Sequence, residues 1–266
     1  MELVSVVIPM YNAERTILRA LQSVQAQTYP HWEMVLIDDG SKDKTLALVQ
    51  DYIGRHALPA TVLARENRGV SCTRNEGVRL ARGSYVAFLD ADDVWLPQKL
   101  ERQMACLRDT GGRFVSCLKA EAAASPSVAV VSLRQMLFRN AVFTSGVLAE
   151  KTLLEDLGGF DETMRYAEDY NLWLRIACVE PVRVLREKLI IYEDDEACAG
   201  RQSLSSHLRE MERGELLNYR MLRREKRIGW GWYLAASSFS LMKYVRRRLK
   251  ASRRSRNLRR RDSSDE

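Results

Sequence analysis

The chain has 266 residues, 46% of them hydrophobic. That is enough for one sizeable domain with an appendage, and the composition excludes a disordered or low-complexity body. Five cysteines, at 72, 106, 117, 178 and 198, are odd in number and lack C-x-x-C spacing, and the three histidines are scattered. Reduced structural thiols in a cytoplasmic protein follow; a disulfide framework, a zinc site and a Ser-His-Asp triad do not. The net charge of +7 is uneven: residues 243–266 carry eleven basic and three acidic side chains, +8 in all, which leaves −1 for residues 1–242.

The first hundred residues alternate between two patterns. Leu3–Ile8 is an apolar run expected to form a strand buried on both faces, not a signal peptide. Asn12 is placed to cap a helix with Ile17, Leu18, Leu21 and Val24 at helical spacing. Strands follow at Met34–Ile37, Thr61–Ala64 and Tyr85–Leu89. Helices run through Leu46, Val49 and Ile53, from Val70 to Leu80, and from Pro97 through Leu107. This βαβαβαβ order predicts an α/β fold, with helices on both faces of a mostly parallel sheet. Beyond Thr110 the pattern predicts a small-residue link at 120–127 lying over the site. It also predicts a strand between Leu137 and Leu148, a helix Lys151–Leu157 closed by Gly158-Gly159, a helix bearing Leu172, Trp173 and Ile176, and a strand Leu185–Tyr192.

Four polar clusters follow the carboxyl ends of the four leading strands: Asn12 with Glu14, Asp38 with Asp39, Asn67, and Asp90 to Asp93. Ligands of open α/β sheets bind along that edge. The first turn, PMYNAE, has no glycine-rich fingerprint, and no P-loop occurs. A phosphate-bearing ligand therefore calls for a divalent cation, Mg²⁺ or Mn²⁺, and the carboxylates of Asp90-Ala91-Asp92-Asp93 can supply its ligands.

The segments VSVVIPMYN, VLIDDGSKDKT, NRGVSCTRNEG, GSYVAFLDADD, LGGFDE and AEDYNLWLRIA occur in the order seen in family 2 glycosyltransferases, and residues 3 to 195 resemble that family. The resemblance implies the GT-A fold, a nucleotide-sugar-binding αβα sandwich. It implies that Pro9, Tyr11 and Glu14 contact the nucleoside, that Asp39 pairs with the base, and that Asn67 and Arg74 line the nucleotide pocket. Asp90-Ala91-Asp92 resembles the D-x-D element, with Asp90 near ribose or metal-bound water and Asp92 on the metal. Glu168-Asp169 resembles the E-D pair, with Asp169 the general base. Trp173, four residues on and on the same helix face, joins the expected substrate-binding set.

The implied activity is inverting, non-processive transfer of one sugar, with UDP-hexose as donor and a glycan or lipid-linked acceptor, in bacterial surface polysaccharide such as lipopolysaccharide. The Q-x-x-R-W element of polymerising relatives is missing, and Tyr192 is followed by Glu193-Asp194-Asp195 where relatives carry arginine and histidine. The alternative is a non-catalytic scaffold that keeps the fold; a nucleotidyltransferase would need a basic, glycine-rich first loop. Two domains are expected, a catalytic one at 1–226 and a tail at 227–266. In the tail, Ile228, Trp232, Ala235, Phe239 and Met242 form one helical stripe ahead of the basic run 243–261. This predicts a peripheral protein on the anionic inner face of the cell membrane, with no nucleic-acid partner.

Overall fold

A computed structural model describes residues 1–118, 127–192 and 207–262. The expected link at 120–127 and the acidic run at 193–195 therefore lie outside the described residues, apart from Ser127. The chain divides into two units, 1–199 and 200–266. The boundary falls before the one expected at 226, because the helix Leu208–Arg224 pairs with the tail helix.

In the first unit, β1 (Val4–Met10), α1 (Ile17–Gln25), β2 (Trp32–Asp38), α2 (Thr45–His56), β3 (Ala60–Ala64), α3 (Val70–Leu80) and β4 (Tyr85–Phe88) follow the predicted alternation. The chain continues through β5 (Asp93–Trp95), α4 (Lys99–Thr110), β6 (Phe114–Leu118), β7 (Val128–Val131), α5 (Leu133–Phe138), β8 (Leu148–Glu150), α6 (Lys151–Asp156), α7 (Glu168–Ala177), β9 (Val182–Lys188) and β10 (Ile190–Tyr192). Among the described residues the main sheet has the order β3-β2-β1-β4-β8-β6-β9-β7. Its leading half, β3-β2-β1-β4, is wholly parallel, while β8 and β7 run antiparallel to their neighbours. Val6, Ile8 and Leu36 on one face and Val7, Val35 and Ile37 on the other are all fully buried, which explains why β1 and β2 read as nearly unbroken apolar runs: both faces of the sheet are covered. Helix α3 lies close against β1, where a Cβ on Gly77 would come within 2.2 Å of Val7.

Parallel register brings the loops of the expected ligand edge together. Met10 aligns with Asp38, and Asp38 with Ala64, so residues 11–14, 39–41 and 65–69 leave the sheet side by side. The chain after β4 joins them, with the Leu89 amide donating to Val7 O at 3.0 Å.

Several local expectations are corrected. Asn12 does not cap α1; it sits in the left-handed region at φ 50°, and the helix starts five residues later, after Thr16. Its side chain instead accepts from the Lys42 amide at 2.7 Å, tying two loops together. Helix α4 begins at Lys99, two residues after Pro97. The strand expected over Leu137–Leu148 is absent: these apolar residues form the end of α5, a loop and a 3₁₀ turn (Thr144–Gly146) before β8 begins at Leu148. Apolar runs this short cannot separate strand from buried helix or turn.

Among the described residues the second unit is a helical pair, α8 (Leu208–Arg224) and α9 (Trp230–Asp262).

Candidate active site

Two of the edge loops are joined by hydrogen bonds. Ala13 N donates to Thr45 Oγ1 at 2.7 Å, Asn12 N to Ser41 Oγ at 2.9 Å, and Lys44 N to Glu14 Oε2 at 3.1 Å. Glu14 thus holds the start of α2, while Pro9, next to the last residue of β1, is half-buried and Tyr11 stands more than half exposed at the rim.

Asp39 is buried beneath that rim, with both oxygens engaged. Oδ1 accepts from Arg65 Nη2 and Arg68 N, each at 3.0 Å, and Oδ2 from Gly69 N at 2.9 Å. The carboxylate therefore shapes the loop that presents the exposed Asn67. Gly40 makes this possible: its φ is +80°, and a Cβ there would stand 3.0 Å from Asn67 N. Arg65 also donates to Thr73 Oγ1 at 2.8 Å; nothing in the sequence pattern distinguished it as part of the site.

Beside this loop lies a buried charge cluster. Arg74 on α3 donates through Nη2 to Asp90 Oδ1 at 2.8 Å and through Nη1 to Glu168 Oε1 at 3.1 Å. Its guanidinium stacks over Phe160, 5.3 Å from the ring centroid. Phe160 is clamped by Asn75, which donates to Phe160 O at 2.9 Å and accepts from Phe160 N at 2.8 Å. The GGFDE segment thus forms the floor beneath Arg74, a role its turn residues alone did not announce. Burial opposes the arginine's charge, but Asp90 and Glu168 outweigh it and hold its pKa up.

Glu168 and Asp169 open α7, where the helix dipole favours negative charge. The residue before them, Ala167, is buried at φ 57°, a conformation costly for a non-glycine residue and one held here by its surroundings. Burial, then the neighbouring Asp169, push the Glu168 carboxyl up to about 7 against the pull of Arg74. Burial likewise raises Asp169, opposed by Arg74 and the Tyr170 amide. The two acids differ in engagement. Glu168 is tied to Arg74, whereas Asp169 Oδ1 accepts from Tyr170 N at 2.6 Å and Oδ2 receives a long hydrogen bond, 3.4 Å, from Thr144 Oγ1.

Trp173 corrects the sequence reading. It is fully buried, packed against Phe88, Phe114 and Phe160 with ring centroids 5.6 to 6.4 Å away, and cannot touch a ligand. An interior helix shows its apolar face to the core, and the residue four positions after Asp169 lies on that face.

The acidic turn after β4 is fastened by Ser145. Its hydroxyl donates to the buried Asp93 and accepts from Asp90 N at 3.0 Å, and its carbonyl accepts from Trp95 Nε1 at 2.8 Å. Asp93 is therefore part of the frame, while Asp92 is exposed and Asp90 is one-third exposed. Thr144 and Ser145 come from the segment expected to be strand, and no sequence signal marked them. A cation held mainly by protein needs a larger donor set, and among the described residues no group of three His, Cys, Asp or Glu could form one. Two accessible carboxylates fit instead an Mg²⁺ or Mn²⁺ ion completed by phosphate oxygens and water.

With this geometry in view, the likenesses to known proteins can be set beside it. The family model described as Glycosyl transferase family 2 matches residues 5–122. An uncharacterized glycosyltransferase of Rickettsia prowazekii is 29% identical over 204 residues, covering 71% of this chain and 63% of that protein. The UDP-Glc:alpha-D-GlcNAc-diphosphoundecaprenol beta-1,3-glucosyltransferase WfgD of Escherichia coli is 32% identical over 181 residues, covering 65% of this chain and 69% of its own length. The mannosyltransferase PcManGT of Pyrobaculum calidifontis, solved with GDP-Man and Mn²⁺, superposes with a TM-score of 0.65 at 21% identity, covering 97% of this chain and 81% of that one. That likeness shows the fold, which is GT-A. The family model, and a relative 32% identical that the chain matches over 69% of its length, lead to one assignment: the chain belongs to glycosyltransferase family 2.

Proposed function

We propose that the protein is an inverting glycosyltransferase that moves one hexose from a UDP-sugar to a lipid-linked or glycan acceptor in bacterial surface polysaccharide synthesis, at the inner face of the membrane. The observation that carries this reading is the chain of contacts Asp90–Arg74–Glu168, which ties the acidic turn to the acid pair of α7 at the carboxyl edge of the parallel strands. UDP and the undecaprenyl-linked acceptor are named for WfgD and support the choice here.

Tyr11 and Asn67 at the rim, with Asp39, Pro9 and Glu14 below, are assigned to the nucleoside. Asp92, with Asp90, would hold an Mg²⁺ or Mn²⁺ ion, which supplies positive charge to the diphosphate leaving group. Asp169 is assigned as general base, since its Oδ2 is held by a longer hydrogen bond than its Oδ1 and its raised pKa strengthens it as a proton acceptor. It takes the proton from the acceptor hydroxyl while that oxygen attacks the anomeric carbon. The bond to the diphosphate breaks as the new one forms, its electron pair leaves with the nucleoside diphosphate, and configuration inverts in one displacement. Arg74 orients Glu168 beside the base and opposes the rise in its pKa that burial causes.

The test is a panel of nucleotide sugars incubated with Mn²⁺ and an undecaprenyl-diphosphate-linked monosaccharide. Release of nucleoside diphosphate is measured and the anomeric configuration of the product read by NMR. Acceptor-dependent release with an inverted product supports the reading; retention of configuration, or no turnover with any donor, refutes it.

A further inference from the structure

The expected tail stripe does not survive folding as a single exposed face. Within the helical pair, Ser240 Oγ lies 2.6 Å from Glu215 Oε2 and 3.1 Å from Glu212 Oε2, and Lys243 Nζ lies 3.4 Å from Glu215. Ala236 and Ser240 are fully buried, so the side of α9 centred on residues 236, 240 and 243 faces α8. Of the residues expected to share a stripe, Ile228 is buried and Phe239 partly so, while Trp232, Ala235 and Met242 are exposed.

A different apolar stripe stays open. Trp230, Leu234, Leu241, Val245 and Leu249 are each 46% to 61% exposed. At roughly 100° per residue they fall in a sector about 100° wide, on the side of the helix away from the one packed on α8. The stripe runs for about 28 Å along the axis. Such a face, large, aromatic at one end and open to solvent, marks an interaction surface.

Charge decides the partner. Arg246, Arg247 and Arg248 are exposed at one end, and the sequence adds Lys250, Arg253, Arg254 and Arg256. At the other end stand Arg224, Lys226 and Arg227, all exposed, and Arg223, whose guanidinium covers the Trp230 ring at 4.4 Å. Cations at both ends would repel a second copy docked along the stripe in either direction. An anionic bilayer satisfies the apolar face and both basic ends together. No described helix is long and apolar enough to cross a membrane, so the helix lies in the interface plane.

We propose that the stripe Trp230–Leu234–Leu241–Val245–Leu249, and not the one read from sequence, docks the chain on an anionic lipid surface. This deepens the reading of a lipid-linked acceptor, but its test needs neither donor nor acceptor.

Full-length protein is sedimented with vesicles of phosphatidylethanolamine and phosphatidylglycerol, and with vesicles of phosphatidylcholine alone. The unchanged chain should bind the anionic vesicles, and 0.5 M salt should weaken that binding at least tenfold. Leu234→Ser/Leu241→Ser leaves charge unaltered and changes only exposed positions; it should also lose at least tenfold. The set Arg246→Gln, Arg247→Gln and Arg248→Gln should lose binding to anionic vesicles by a similar factor. The proposal is overturned if the Leu→Ser variant binds within twofold of the unchanged chain, or if both vesicle types bind alike. It is also overturned if the unchanged chain is a dimer in solution that this variant splits. Because turnover is assayed separately, failure here leaves the transferase reading standing, and the reverse holds.

Discussion

Arg74 Nη1 lies 3.1 Å from Glu168 Oε1, although 94 residues separate them in the chain. The contact joins the middle of α3 to the first turn of α7, and both side chains are buried. Removing one partner of a buried pair strands the other's charge. Arg74→Ala should therefore cost about 3–5 kcal/mol in a urea-unfolding measurement. Arg74→Lys should recover only part of this, because one ammonium cannot reach two carboxylates in the planar geometry of a guanidinium. A loss below about 1 kcal/mol for the alanine variant would show that the cluster adds little to stability.

Asp169→Asn preserves shape and removes the proton acceptor. Turnover should fall by on the order of 10²–10⁴ while UDP affinity, measured by calorimetry, stays unchanged. If the asparagine variant turns over normally and Glu168→Gln does not, the base is Glu168.

The raised carboxyl of Glu168 sets a pH dependence. Its pKa of about 7 in the folded chain exceeds the ordinary 4.5, so ionising it costs the folded state more than the unfolded one. The stabilising contribution is complete below pH 4.5 and lost as pH rises through 7; the raised Asp169 acts in the same direction. Melting temperature should decline between pH 5 and pH 8, and Glu168→Gln should flatten that decline. A wild-type profile rising over this range would overturn the assignment.

Asp92 is the exposed carboxylate of the acidic turn and is assigned to the cation. UDP affinity with Mn²⁺ should exceed that in EDTA, and Asp92→Asn should remove the difference, a loss of about tenfold or more (about 1.4 kcal/mol). Asp93→Asn is the informative contrast, since Asp93 is buried on Ser145: it should lower stability and leave the Mn²⁺ dependence in place. Equal UDP affinity with and without Mn²⁺ would remove Asp92 from this role.

The first half of the fold was legible because local signals there agree. Helix α3 begins and ends at the residues that periodicity marked, Val70 and Leu80, and β3 and β4 differ from expectation by one residue at an end. Apolar runs bounded by polar turns specify buried strands, and parallel order follows from the helices between them. Polar residues at successive strand ends also pointed to one edge of the sheet, because parallel register must bring those ends together. Three-dimensional contact decided the rest. Trp173 and Asp169 occupy one helix, yet the core claims the indole and leaves the carboxylate partly open. Ser145 and Phe160 acquired their roles from residues 52 and 85 positions away. On α9, several apolar stripes fit a 3.6-residue period, and the packing of Ser240 and Lys243 on α8 determines which of them faces solvent. Periodicity reports that a helix has an apolar face; only the neighbour it packs against determines which way that face turns.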